Sequence, residues 1–202
     1  MVIYLLTFLL LFSCSTSLIK EESSSIKFDN AMKYIEDSKY SKAIDELQYL
    51  LLVDPLSDFA GDAQYYIAES YYNLDNFSKS IEEFEKYLSQ RILSNDLLKK
   101  SQLYLCKSYF NVSLEYNKDQ TGTYIAIEKL QYFIEKESMV EYHQEIEQMI
   151  LELRTKLAQK NFYTAKLYER LEELDSAVIY YDTIIKEFYD TKFVNQSLIN
   201  IA

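Results

Sequence analysis

One spacing recurs along this chain, and it restricts the fold more than any other feature. In the stretch 61–90, GDAQYYIAESYYNLDNFSKSIEEFEKYLSQ, the residues Ala68, Tyr71, Ser80, Phe84 and Tyr87 stand at offsets of 0, 3, 12, 16 and 19. Two short helices can cross closely only where both carry a small side chain, and bulky residues then fill the space around that crossing. Asp75-Asn76 lies between the two halves as a turn. The same frame falls on Ala31, Tyr34, Ala43, Leu47 and Leu50, and again on Ala165, Tyr168, Ala177, Tyr181 and Ile184. A third copy has Cys106 and Tyr109 in its first half, and a second half delayed to Ala126, Leu130 and Phe133.

This is the spacing of a tetratricopeptide (TPR) unit, and stacked units of this kind form a solenoid. The fold class expected is therefore all-α: a TPR-type helix-pair solenoid of four repeats plus the start of a fifth. The repeats fall at about 25–55, 58–90, 95–137 and 140–189, with a partial one at 192–202. Two glycines and one proline in 202 residues agree with helices joined by short turns. Asp54-Pro55 ends a helix, and Ser57-Asp58 is placed to start the next. In the third unit the turn is lengthened to Asn117–Thr123. From Val140 to about Leu171 the apolar residues recur at three and four without a breaker, which predicts one helix about 45 Å long with Lys160-Asn161 as the place for a bend.

The N-terminus follows different rules. Val2 to Phe12 is apolar, too short to span a membrane and of the length of a signal-peptide core. It runs into Leu11-Phe12-Ser13-Cys14, which resembles a bacterial lipobox, although nothing charged precedes Lys20. Residues 1–13 then read as a lipoprotein signal peptide, Cys14 as the lipidated residue, 14–24 as a Ser-rich tether and 25–202 as the solenoid. Three acyl chains on Cys14 would hold the protein firmly, since one chain alone binds weakly. Ser15 after the cysteine is compatible with export to the outer membrane. An ordinary secretory signal with an incidental cysteine is the alternative.

The net charge of −11 argues against nucleic-acid partners and against attraction to anionic lipid heads. A single histidine, His143, in a polar run and expected at the surface, leaves no metal pattern and no Ser/His/acid set. Glu82, Glu83 and Glu85 read as a solvated helix face. Cys106, at a small-residue position, reads as a packing residue, with a reactive thiol as the minor alternative. No cofactor and no catalytic residue is expected.

In a TPR array the first helices line the concave face. Groove positions fall three before, and one, four and five after, each small residue. They are Phe28, Met32, Ile35 and Glu36; Tyr65, Glu69, Tyr72 and Asn73; Leu103, Lys107, Phe110 and Asn111. Such a channel suits an extended peptide with apolar side chains, with Asn73 and Asn111 bonding its backbone and Lys107 meeting a terminal carboxylate. The competing reading is that several of these rings pack between repeats.

Three stretches add a resemblance. Asp119-Gln120-Thr121-Gly122-Thr123 is similar to a DQTPT-type turn, Leu153–Ala158 (LRTKLA) to an LRxxLA segment, and Phe188-Tyr189-Asp190-Thr191 to a YPDT repeat ending. With the lipobox and tether, the chain resembles the BamD (ComL, YfiO) family of outer-membrane lipoproteins. Gly122, Asn161 and Tyr189 depart from the family pattern, and Tyr181 stands where many members carry a partner-contacting arginine. The resemblance implies a scaffold of the β-barrel assembly machinery on the periplasmic face of the outer membrane. Unfolded outer-membrane proteins would bind its N-terminal repeats. The POTRA domain of the barrel-forming subunit would bind its C-terminal repeats, beside other assembly lipoproteins. The alternative is another TPR lipoprotein, organising peptidoglycan synthesis or the Tol-Pal system.

Overall fold

The computed structural model describes residues 23–90 and 95–202. The stretch read as a signal peptide, Cys14 and nearly all of the stretch read as a tether lie outside the described residues. The helices are α1 (Ser24–Glu36), α2 (Tyr40–Val53), α3 (Ala60–Asn73), α4 (Phe77–Leu88), α5 (Asn95–Val112), α6 (Thr121–Ile134), α7 (His143–Arg170), α8 (Leu174–Glu187) and α9 (Val194–Ile201). A 3₁₀ turn, Glu137–Tyr142, precedes α7. Each helix packs on the next, and the first helices of neighbouring pairs also touch, α3 on α5 and α5 on α7. Among the described residues there is no strand. The architecture is an all-α, TPR-like solenoid.

The recurring marks explain the packing. The small residues Ala31, Ala43, Ala68, Ser80, Cys106, Ala126 and Ala165 are fully buried, and Ala177 nearly so. Leu47, Phe84, Leu130 and Tyr181 fill the space beside them, all at 0–1% exposure. Ser80 and Ser108 meet at 3.0 Å in the interior, so each buried hydroxyl has a partner.

The turn inside a pair is also encoded. Ser38, Asp75 and Glu172 each stand seven residues after the small residue and each takes a left-handed φ of 56–63°. The N–H of the following residue bonds back to the carbonyl of Tyr34, Tyr71 or Tyr168, at 2.7, 3.0 and 3.0 Å. This Schellman closure ends the helix and reverses the chain. Asn76 then caps α4, its Oδ1 accepting from the Lys79 N–H at 3.3 Å.

The third pair closes differently. Gln120, almost fully buried, donates to the carbonyls of Glu115 (2.7 Å) and Lys118 (3.2 Å) and accepts from Thr123 Oγ1 (2.8 Å). Asp119 Oδ1 accepts from the Thr121 N–H at 3.0 Å. Gly122 sits in the first turn of α6 with open space where a Cβ would stand. Gly122→Ala should therefore raise stability by about 0.5–1 kcal/mol, read by thermal melting.

The long helix spans two cores, and it is helical without interruption through Lys160-Asn161. Ile146, Met149 and Leu153 join the core of the second and third pairs; Leu157, Ala158, Phe162 and Ala165 join that of α8. Several expectations need correcting. The helical part begins at Ser24, capped by Ser23, one residue inside the expected tether. α3 starts at Ala60 rather than after Ser57-Asp58, because those residues stay in the turn, where the Ala60 N–H bonds the Ser57 carbonyl at 3.0 Å. His143, at the start of α7, is half-buried with its Nε2 enclosed rather than at the surface. Glu83 is buried rather than solvated, its carboxylate accepting from Gln64 Nε2 at 2.7 Å.

Candidate binding groove

The first helices α1, α3, α5 and α7 supply the inner face, and the expected groove residues divide by burial. Tyr65 and Leu103 are core residues, at 1% and 9% exposure. The Tyr65 ring lies 5.2–5.8 Å from those of Tyr66, Phe84 and Tyr87. Phe28 is half-buried, stacked on Phe59 at 5.1 Å and edge-on to Tyr66 at 6.0 Å, with Met32 in the same cluster. These rings join the first two pairs. Ile35 is half-buried.

Glu69 is half-buried and accepts from the Tyr65 hydroxyl at 2.9 Å. Burial pushes its carboxyl up, against the Tyr65 bond and Lys100, which pull it down. Tyr72 stands beside it, edge-on to Phe77 (5.5 Å) and Tyr104 (5.0 Å). Asn73 and Asn111 are exposed, but each Nδ2 already donates to the carbonyl four residues back, at 3.0 and 2.9 Å. Lys107 is paired with Glu145 at 2.9 Å and lies over the Tyr104 ring, so it is not a free counter-charge.

Phe110 opens onto a cleft of about 370 Å³ between the end of α5 and the first half of α7, walled by Tyr116, Leu151, Thr155 and Lys156. Lys156 Nζ donates to Ser113 Oγ at 2.6 Å and approaches the Ser113 carbonyl at 3.4 Å. Among the described residues it has no carboxylate within 4 Å, and burial pulls its pKa down. Lys156 is thus a cation of this cleft without a direct ion pair, with Glu115 and Glu152 on the same walls, and a position the groove register did not reach. That register was laid on Ala31, Ala68 and Cys106 and named no position on α7, whereas Gln148, Leu151, Glu152, Thr155 and Gln159 form a face on the first half of that helix. Their three- and four-residue spacing was a readable signal.

The motif stretches converge in space. Arg154 Nε donates to Asp190 Oδ1 and Oδ2 at 3.1 and 2.8 Å, and its Nη2 to Oδ1 at 2.8 Å and to the Glu187 carbonyl at 2.7 Å. The guanidinium also lies over the Phe188 and Tyr189 rings, at 5.6 and 5.7 Å. From the same segment, Lys156 holds Ser113 and Lys160 Nζ donates to the Lys118 carbonyl at 2.7 Å. Two faces of α7 therefore make the ties, Lys156 and Lys160 to the end of α5 and the lengthened turn, Arg154 to the end of α8. A family model for an outer membrane lipoprotein, YfiO, matches residues 20–201.

The chain belongs to the YfiO family. No curated protein matches it. Membership makes it an outer membrane lipoprotein, and among the described residues no helix is long and apolar enough to cross a membrane. In this YfiO chain Tyr181 is buried, its hydroxyl donating to Glu169 at 2.7 Å and accepting from Asn200 at 3.0 Å, so it presents nothing to a partner.

Cys106 is fully buried, and burial pushes its thiol up to about 12. A thiol at that value is protonated at neutral pH and unreactive. Labelling of the folded protein by a disulfide reagent should run at least about 100-fold slower than labelling of the urea-unfolded chain. A fast folded-state reaction would revive a thiol chemistry. Among the described residues no group of three His, Cys, Asp or Glu side chains could hold a metal.

Proposed function

We propose that this chain is a lipid-anchored periplasmic scaffold of the β-barrel assembly machinery, acylated at Cys14, that works by recognition and not by catalysis. Its inner face takes unfolded outer-membrane proteins, and its C-terminal pairs hold the POTRA domain of the barrel-forming subunit. The observation that carries this reading is a pair of separate open surfaces. One is the Phe110–Leu151 cleft on the inner face. The other is the run of exposed apolar side chains on α8, with Leu174 at 64% and Ile179 at 65% exposure. A scaffold with two clients needs two such surfaces, and exposed apolar patches of this kind mark protein contacts.

Affinity purification of the lipidated protein from extracted membranes tests the reading. Recovery of a POTRA-containing barrel protein supports it. Recovery of cell-wall enzymes or Tol-Pal proteins alone transfers the chain to the alternative scaffold class.

The inner face has its own test. Phe110→Ala removes the apolar wall of the cleft from a half-buried position. It should weaken binding of an apolar barrel-protein C-terminal peptide about tenfold, with helical content unchanged in circular dichroism. Tyr72→Ala, whose ring packs on Phe77 and Tyr104, should lose stability as well as affinity. Unaltered affinity in both variants would remove the groove assignment.

A further inference from the structure

The helix α2 carries two apolar stripes. Ala43, Ile44, Leu47 and Leu50 face the core at 0–5% exposure. Tyr49, Leu52 and Val53 face outward at 46%, 79% and 42%, and Leu56 in the following turn, next in the same three- and four-residue spacing, is 93% exposed. The outward stripe ends at Leu56, its most exposed side chain.

This tip lies where the N-terminal segment joins the folded chain. Ser24 Oγ donates to Asp54 Oδ2 at 2.6 Å, and Ser23, Ser24 and Ser25 border the same shallow depression as Leu56 and Ser57. Cys14 precedes Ser23 by nine peptide steps, which reach at most about 32 Å. Lipidation of Cys14 would therefore attach the folded chain to the bilayer from this edge, within about 32 Å. We propose that Tyr49, Leu52, Val53 and Leu56 form a second membrane contact that inserts into the lipid surface next to the anchor. The inference rests on the acylated-Cys14 reading.

The physical case is specific. An acyl anchor nine peptide steps away limits a distance but not an orientation. An apolar tip touching the acyl boundary would fix both. The contact is apolar rather than electrostatic, because the chain carries a net charge of −11 and Asp54 is engaged by Ser24. Tyr49, with the Lys27 ammonium 4.9 Å from its ring centre, has the pairing suited to headgroup depth. It follows that the contact neither requires anionic lipid nor is weakened by salt.

The chain has no tryptophan, so a single introduced one reports on its own position. The experiment uses the full, acylated chain in vesicles of phosphatidylethanolamine and phosphatidylglycerol, with and without lipids brominated in their acyl chains. Leu56→Trp is compared with Leu171→Trp, a 59% exposed position in the turn between α7 and α8, at the opposite ends of the helices. The tryptophan at 56 should emit at shorter wavelength and be quenched about twofold or more by brominated lipid, at low and high salt alike. The tryptophan at 171 should not respond.

An acylated, vesicle-bound chain whose residue 56 is no more quenched than residue 171 overturns the inference and leaves the anchor standing. Shielding of residue 56 from aqueous iodide that grows with protein concentration, without lipid quenching, assigns the tip to a second copy and overturns it too. A mature chain that carries no acyl group by mass spectrometry removes the anchor and the inference together.

Discussion

Phe84→Ala is expected to lower stability by about 4 kcal/mol, the range for deleting a fully buried aromatic ring. Phe84 is 0% exposed and lies 5.8 Å from the Tyr65 ring and 5.9 Å from that of Tyr104. It therefore joins α3, α4 and α5 across a repeat boundary. In a chain of about 200 residues this corresponds to a fall in Tm of roughly 10 °C if the array melts as one. The array offers a sharper test, because each repeat touches only its neighbours. Hydrogen exchange should speed up in α3, α4 and α5 while α8, held by its own core with the second half of α7, keeps its protection. Uniform loss of protection would mean that the two cores, which α7 spans, unfold as one unit.

The second large effect is at the clamp between α7 and the end of α8. Arg154→Ala removes the bidentate bond to Asp190, the bond to the Glu187 carbonyl and the contact with two rings. The Arg154 and Asp190 side chains are 19% and 35% exposed, so water screens part of the interaction. The expected cost is about 2 kcal/mol. The Arg154 guanidinium, hydrogen-bonded to Asp190, holds the Asp190 carboxyl below the usual carboxylate range, burial acting against it. A carboxyl depressed in the folded state stabilises above its unfolded pKa of about 4 and loses that contribution as pH falls through the lower folded value. The stability difference between the protein and Asp190→Asn should thus be constant at neutral pH and shrink below about pH 4, measured by urea titration. A difference that persists unchanged in acid would show that the clamp works by shape rather than charge.

Much of this was legible in one dimension. The offsets of 3, 12, 16 and 19 identified the crossing residues, because a helix crossing tolerates only small side chains and their spacing is local geometry. The unbroken stripe from Ile146 to Ala165 identified α7 for the same reason. The motif stretches were readable as a resemblance, but nothing in their spacing said that Arg154 would reach Asp190, 36 residues away.

The groove was legible only by position. Register selects the helix face that points inward, but it does not say how closely the next repeat approaches. Tyr65 was therefore expected in a channel and lies in the core, and Lys107 was expected to be free and is paired with Glu145. Glu83 was expected in water and is covered by Gln64 from the preceding helix. Each correction comes from a neighbour distant in sequence, whose approach depends on the summed packing of whole helices.

The sequence by itself determined the solenoid, its register, the turn at Asp75-Asn76 and the family, since each follows from local spacing or from motif residues. Only the tertiary structure decided which inner-face side chains remain open, that Lys107 is paired with Glu145 while Lys156, among the described residues, has no direct ion pair, and that Leu56 lies beside the start of α1. Burial and charge pairing are properties of surfaces brought together from distant parts of the chain, and no local pattern encodes them.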